Sequence, residues 1–158
     1  MNKKGFTLVE LLAVIAILAI LVIIAMPNVL DMFNKAKEDA FMTEAQSLFK
    51  SVQQDFVVQG GKAATYANGT NCTTANARQA KMDGKELTYY ITVNSQGEIT
   101  KFEVADGTYY YGNTTSGLKI EDIVIPANND VSTTCTASTS GCFMEADVST
   151  VTGCAVTN

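Results

Sequence analysis

Lys3-Lys4-Gly5-Phe6-Thr7-Leu8-Val9-Glu10-Leu11-Leu12 opens onto a continuous apolar run from Ala13 to Met26. No charged residue occurs from Leu11 to Leu30. As a helix that stretch is about 30 Å long, the thickness of the hydrocarbon core of a bilayer. It is apolar on every face, so it is not a helix half-exposed on a soluble protein. Lys3 and Lys4 ahead of it predict an N-terminus held in the cytoplasm, with the rest of the chain outside. Two simpler readings compete, a cleaved secretory signal peptide and an ordinary single-pass anchor. A signal peptide has a shorter apolar core, about 7–15 residues, and ends at small residues in an A-x-A pattern. Here the run ends Ile24-Ala25-Met26-Pro27. Neither reading explains Glu10. A carboxylate on a membrane helix is costly unless partnered. No Lys or Arg follows it within two turns. The sequence therefore predicts that its partner lies in another molecule.

These residues resemble the type III signal of type IV pilins and pseudopilins. The carrying match is Gly5-Phe6-Thr7-Leu8-Val9-Glu10-Leu11-Leu12, placed after a short basic leader and before a membrane-length helix. The resemblance implies cleavage between Gly5 and Phe6 by a prepilin peptidase, with N-methylation of the new amine on Phe6. It implies that Glu10 pairs with that amine on a neighbouring subunit, so that Phe6 and Glu10 set subunit assembly. In an apolar filament core either charge alone would be costly, and the pair is less so. Pro27 stands where type IVa-like pilins carry a helix proline, and a kink or local melting is expected there. This chain departs from some relatives in having no glycine from Phe6 to Gln59.

The helical pattern continues to Gln59 and stops at Gly60-Gly61. Phe41, Ala45, Leu48, Val52 and Phe56 form one apolar stripe at three- and four-residue steps. Upstream the same face meets Asn34, Lys37 and Glu38, so the stripe begins near Phe41. The expected organisation is a leader over 1–5, an apolar and protruding helix half over 6–40, and a globular domain over 41–158.

Gly60 to Glu86 reads as a loop with a short helix near Ala75 to Met82. Leu87, Tyr89, Ile91 and Val93 then alternate with polar neighbours, the period of a half-buried strand. Ile99 to Ala105 reads as a second strand, Thr108 to Tyr111 as a third after the Asp106-Gly107 hairpin signal, and Leu118 to Ile125 as a fourth. Tyr89, Tyr90, Tyr109, Tyr110 and Tyr111 read as cross-strand packing in preference to a binding platform. The tail after Ala127 reads as loop. The fold class is therefore α+β. With the resemblance it is the type IV pilin fold: a long N-terminal helix on a four-stranded antiparallel sheet, with a disulfide-stapled C-terminal region.

The four cysteines, Cys72, Cys135, Cys142 and Cys154, form no CxxC pair and have no histidine beside which to bind zinc. An even count beyond a membrane segment favours disulfides in an oxidising compartment. Three pairings are possible. The resemblance implies Cys142 with Cys154 and Cys72 with Cys135. Asn68-Gly69-Thr70, Asn71-Cys72-Thr73 and Asn113-Thr114-Thr115 match the glycosylation pattern, which is common by chance.

With no histidine, no phosphate-binding loop and no nucleophile–base pair, neither an enzyme nor a cofactor or metal site is expected. Asp106, Glu121, Asp122, Asp130 and Asp147 lack the spacing of an EF-hand calcium loop. The net charge of −5 argues against a nucleic-acid-binding surface. The resemblance implies a structural subunit of a homo-oligomeric helical filament serving adhesion, motility, aggregation or DNA uptake. Its partners would be the membrane before assembly and an assembly machine with a separate ATPase. It would pass from the cytoplasmic membrane to an extracellular pilus. The alternatives are a minor pilin or a type II secretion pseudopilin, and an unrelated membrane-anchored binding domain.

Overall fold

A computed structural model describes residues 5–68, 77–82, 87–125, 141–146 and 150–151. One helix, α1 (Leu8–Val58), is assigned without interruption through Pro27. By internal contacts the chain forms two units, one up to Lys37 and one from Glu38 onward. In the first unit the large apolar side chains from Leu8 to Phe33 are exposed, Leu18 at 54 % and Ile23 at 73 %. In the second unit the stripe read from the sequence is the buried face as far as Val52: Phe41, Ala45, Leu48 and Val52 are at most 1 % exposed, joined by Met42 and Phe49, while Phe56 at its end is partly buried.

The sheet has five antiparallel strands in chain order: β1 (Ala64–Asn68), β2 (Thr88–Val93), β3 (Ile99–Ala105), β4 (Tyr109–Asn113) and β5 (Cys142–Glu145). This corrects the expected four. β1 and β5 fall in stretches whose sequence reads as loop, and the expected fourth strand is not a strand. Leu118 to Ile125 instead contains a short 3-10 turn, Ile120–Asp122. Its Leu118 and Ile123 enter the core. Gln46 Nε2 donates to the Ile123 carbonyl at 2.9 Å, and the Tyr111 hydroxyl donates to the Asp122 carbonyl at 2.9 Å. Those bonds occupy carbonyls that a strand would have offered to a neighbour.

The helix expected near Ala75 to Met82 is also absent from its described part, 77–82. There Arg78 forms a parallel bridge to Tyr66. Its N–H donates to the Thr65 carbonyl at 2.8 Å, and the Ala67 N–H donates to the Arg78 carbonyl at 3.0 Å. These bonds lie on the edge of β1 opposite β2. The Tyr66 hydroxyl donates to Asp55 Oδ2 at 2.8 Å and ties β1 to the helix.

The core lies between α1 and one face of the sheet. Aromatic rings link them: Phe41 meets Tyr109 and Phe143, and Phe49 meets Phe102, which meets Tyr111. The other face carries a second, smaller cluster of Ala105, Tyr110 and Val151, against which Tyr90, Met144 and Ala146 pack. A tyrosine pair such as Tyr110–Tyr111 thus serves two cores, because successive strand residues point to opposite faces.

Candidate functional site: the N-terminal segment

Thr7 precedes the first helical residue and Glu10 is the third residue of the helix. The Thr7 N–H donates to Glu10 Oε2 at 2.9 Å, and the Thr7 hydroxyl donates to the same oxygen at 2.8 Å. The Glu10 N–H in turn donates to Thr7 Oγ1 at 3.3 Å. This is a reciprocal capping box, in which two backbone donors left over at a helix start are satisfied by side chains. The chain therefore supplies Glu10 with two hydrogen-bond donors of its own, neither of them a cation. The Thr-x-x-Glu spacing that announces a capping box was present in the sequence. That spacing is a signal of the helix terminus, and the absence of nearby cations says nothing about it. Both bonds fall on Oε2, and Oε1 accepts no hydrogen bond among the described residues. One carboxylate oxygen is therefore held in place while the other is available to an outside donor.

Phe6 lies just ahead of this cap and is 87 % exposed. Gly5 is exposed, and a Cβ built on it would touch nothing within 4 Å. Gly5, Phe6, Thr7 and Glu10 thus form a short accessible segment leading into an apolar helix. The helix has a mean hydropathy of 3.2 over its most apolar window and is long enough to cross a membrane.

Residues 1–26 match the family model of the prokaryotic N-terminal methylation motif. The chain carries a type IV pilin-like prepilin signal. No curated protein and no solved structure gives a significant match. A prepilin signal of this kind implies processing by a prepilin peptidase and delivery to a pilus or secretion assembly machine. With the apolar helix, it marks a membrane-anchored precursor, and it points to a structural subunit.

The remaining sequence candidates serve local structure where they are described. Asp106 Oδ1 accepts from the N–H groups of Thr108 and Tyr109, both at 2.8 Å. Asp122 Oδ2 accepts from the Lys119 N–H at 2.9 Å, and Glu121 lies 3.4 Å from Lys119 Nζ. Asp130 and Asp147 lie outside the described residues. Two of the glycosylation patterns have their amide engaged: Asn68 Nδ2 donates to the Leu87 carbonyl, and Asn113, 3 % exposed, donates to the Tyr111 hydroxyl. Asn71 lies outside the described residues. Of the cysteines only Cys142 is described, 8 % exposed on β5. The pairings assigned to Cys72, Cys135 and Cys154 lie outside the described residues.

The sheet holds a buried polar group that sequence reading did not single out. Glu103 on β3 is 1 % exposed. Its Oε2 lies 3.2 Å from Lys101 Nζ, and its Oε1 accepts from the Tyr110 hydroxyl at 3.1 Å. Gly112 stands directly opposite Glu103 in the ladder, and the Tyr110 phenol lies over it. The glycine's missing side chain makes the room through which Tyr110 reaches the carboxylate. Burial, and then the Glu103 charge, hold the Tyr110 phenol well above its ordinary value of 10.0.

Proposed function

We propose that this chain is the structural subunit of an extracellular type IV pilus, cut between Gly5 and Phe6, N-methylated on Phe6 and assembled through its apolar helix. The reading is carried by the contrast along α1. The half up to Phe33 exposes every large apolar side chain, while the half from Phe41 buries its stripe. A helix exposed in this way needs lipid before assembly and like helices after it. Glu10, with Oε1 uncommitted, is suited to accept the methylated amine of a neighbouring Phe6. The globular domain would begin at residue 41. Disulfides Cys142–Cys154 and Cys72–Cys135 would staple its C-terminal region. In support, Cys142 carries no free thiol. The chain would have no catalytic role of its own.

The test is the intact mass of the protein in material sheared from the cell surface, with and without reductant. The expected mass begins at N-methylated Phe6, and reduction adds four hydrogens for two disulfides. A mass beginning at Met1 or just after Met26 would mean an ordinary anchor or a cleaved signal peptide, and would end the filament reading.

A further inference from the structure

The first unit carries a feature that the prepilin signal does not use. Phe33 and Lys37 lie one helical turn apart beyond Asp31, the first charge after the apolar run. Lys37 Nζ sits 4.6 Å from the centroid of the Phe33 ring. Phe33 is 58 % exposed and the neighbouring Met32 73 % exposed. We infer that Phe33 and Lys37 form an anchor for the phosphate layer of the outer leaflet, fixing how deep the precursor sits before assembly. The inference rests on the membrane-anchored reading and adds the depth at which the helix is held.

Length comes first. From the Thr7 cap to Lys37 the helix advances about 45 Å, which matches a bilayer with its headgroup regions of about 40–45 Å. The uncharged stretch inside it, Leu11 to Leu30, matches the hydrocarbon core alone. Phe33 and Lys37 therefore fall at headgroup level when Thr7 and Glu10 lie at the opposite interface. Chemistry agrees with this position. A phenyl ring prefers the acyl side of the interface, and an ammonium on a flexible stem reaches outward to phosphate. Their stacking joins both preferences in one unit. Lys35 adds a second cation at the same level. Asp31, Glu38 and Asp39 bracket these lysines, so the segment has no net positive charge. Recognition is therefore of individual phosphates, and not of a net anionic surface.

The test places an indole at position 33 (Phe33→Trp) or at position 20 (Ile20→Trp) in the full chain, which has no tryptophan of its own. Each protein is reconstituted in phosphatidylcholine vesicles carrying quenchers at the headgroup or at mid-chain. The indole at position 33 is expected to be quenched about twofold or more better from the headgroup than from mid-chain, and that at position 20 the reverse. Adding Lys37→Gln to Phe33→Trp is expected to move quenching toward the mid-chain label. If position 20 is deep but position 33 is quenched by aqueous iodide as freely as tryptophan in solution, the anchor is overturned and the membrane reading stands. If position 20 is itself reached only from water, the membrane-anchored reading falls, and the anchor with it.

Discussion

A charge at the head of an apolar helix is costly unless it is held, and Glu10 is held by Thr7. The capping box shows that a carboxylate in this position already meets two donors of its own chain. The proposed pairing with a neighbour would therefore use the remaining oxygen, or displace Thr7. Glu10→Ala is expected to leave membrane insertion and cleavage at the level of the parent chain. It should lower the yield of sheared filaments by about tenfold or more, because every incorporated subunit would leave one amine unpaired in an apolar core. Immunoblots of membrane and sheared fractions measure both, and abundant filaments from the variant would remove Glu10 from assembly. Glu103 was not legible at all. A lone glutamate in Ile99-Thr100-Lys101-Phe102-Glu103 reads as the solvent side of a strand. In the fold it is buried, with the Tyr110 hydroxyl of the neighbouring strand reaching it across Gly112, a contact that the local pattern does not announce.

At the level of elements, α1 was readable because its two halves differ in kind: the first is apolar all round, the second carries one stripe. The strands β2 and β3 were readable from alternation. β1 was not, because Ala64-Thr65-Tyr66-Ala67-Asn68 carries one large side chain in five residues and looks like the polar loop around it. β5 was hidden by its brevity. The stretch from Leu118 to Ile125 misled in the opposite sense. Its alternation breaks at Asp122-Ile123, and the two buried residues, Leu118 and Ile123, are five apart, which no strand face allows. The pairing of β3 with β4 yields a prediction. Gly112→Ala would put a methyl group into the space of the Tyr110 phenol and push it off Glu103. The expected loss is about 1–3 kcal/mol from overpacking and a broken buried hydrogen bond. Denaturant unfolding measures it. Tyr110→Phe, which removes only the hydroxyl that donates to the Glu103 carboxylate, should lose about 1.5–3 kcal/mol. Equal stability of Gly112→Ala and the parent would mean that the glycine is incidental.

Across the molecule, five of the six tyrosines are expected to respond together to alkali. Burial raises Tyr66, Tyr89, Tyr109, Tyr110 and Tyr111 above 10.0. Above that pH the unfolded chain releases phenolic protons that the folded chain retains, so stability falls as pH rises. The contribution is complete below pH 10 and is lost as pH climbs through the raised values. Phenolate absorbance is therefore expected to appear late and to rise together with the loss of sheet signal in circular dichroism. Smooth, independent ionisation at pH 10 with the fold intact would contradict the packing. One last feature acts beyond a single molecule. The outer border of β1 is already occupied by Arg78 through two backbone bonds. In the proposed filament, chains held close together would be exposed to adding strands to one another, a polymer of a quite different and irreversible kind. A single residue laid along that border works as a stopper. In the proposed filament it would leave growth to the helices and cover the middle of this border against cross-β association.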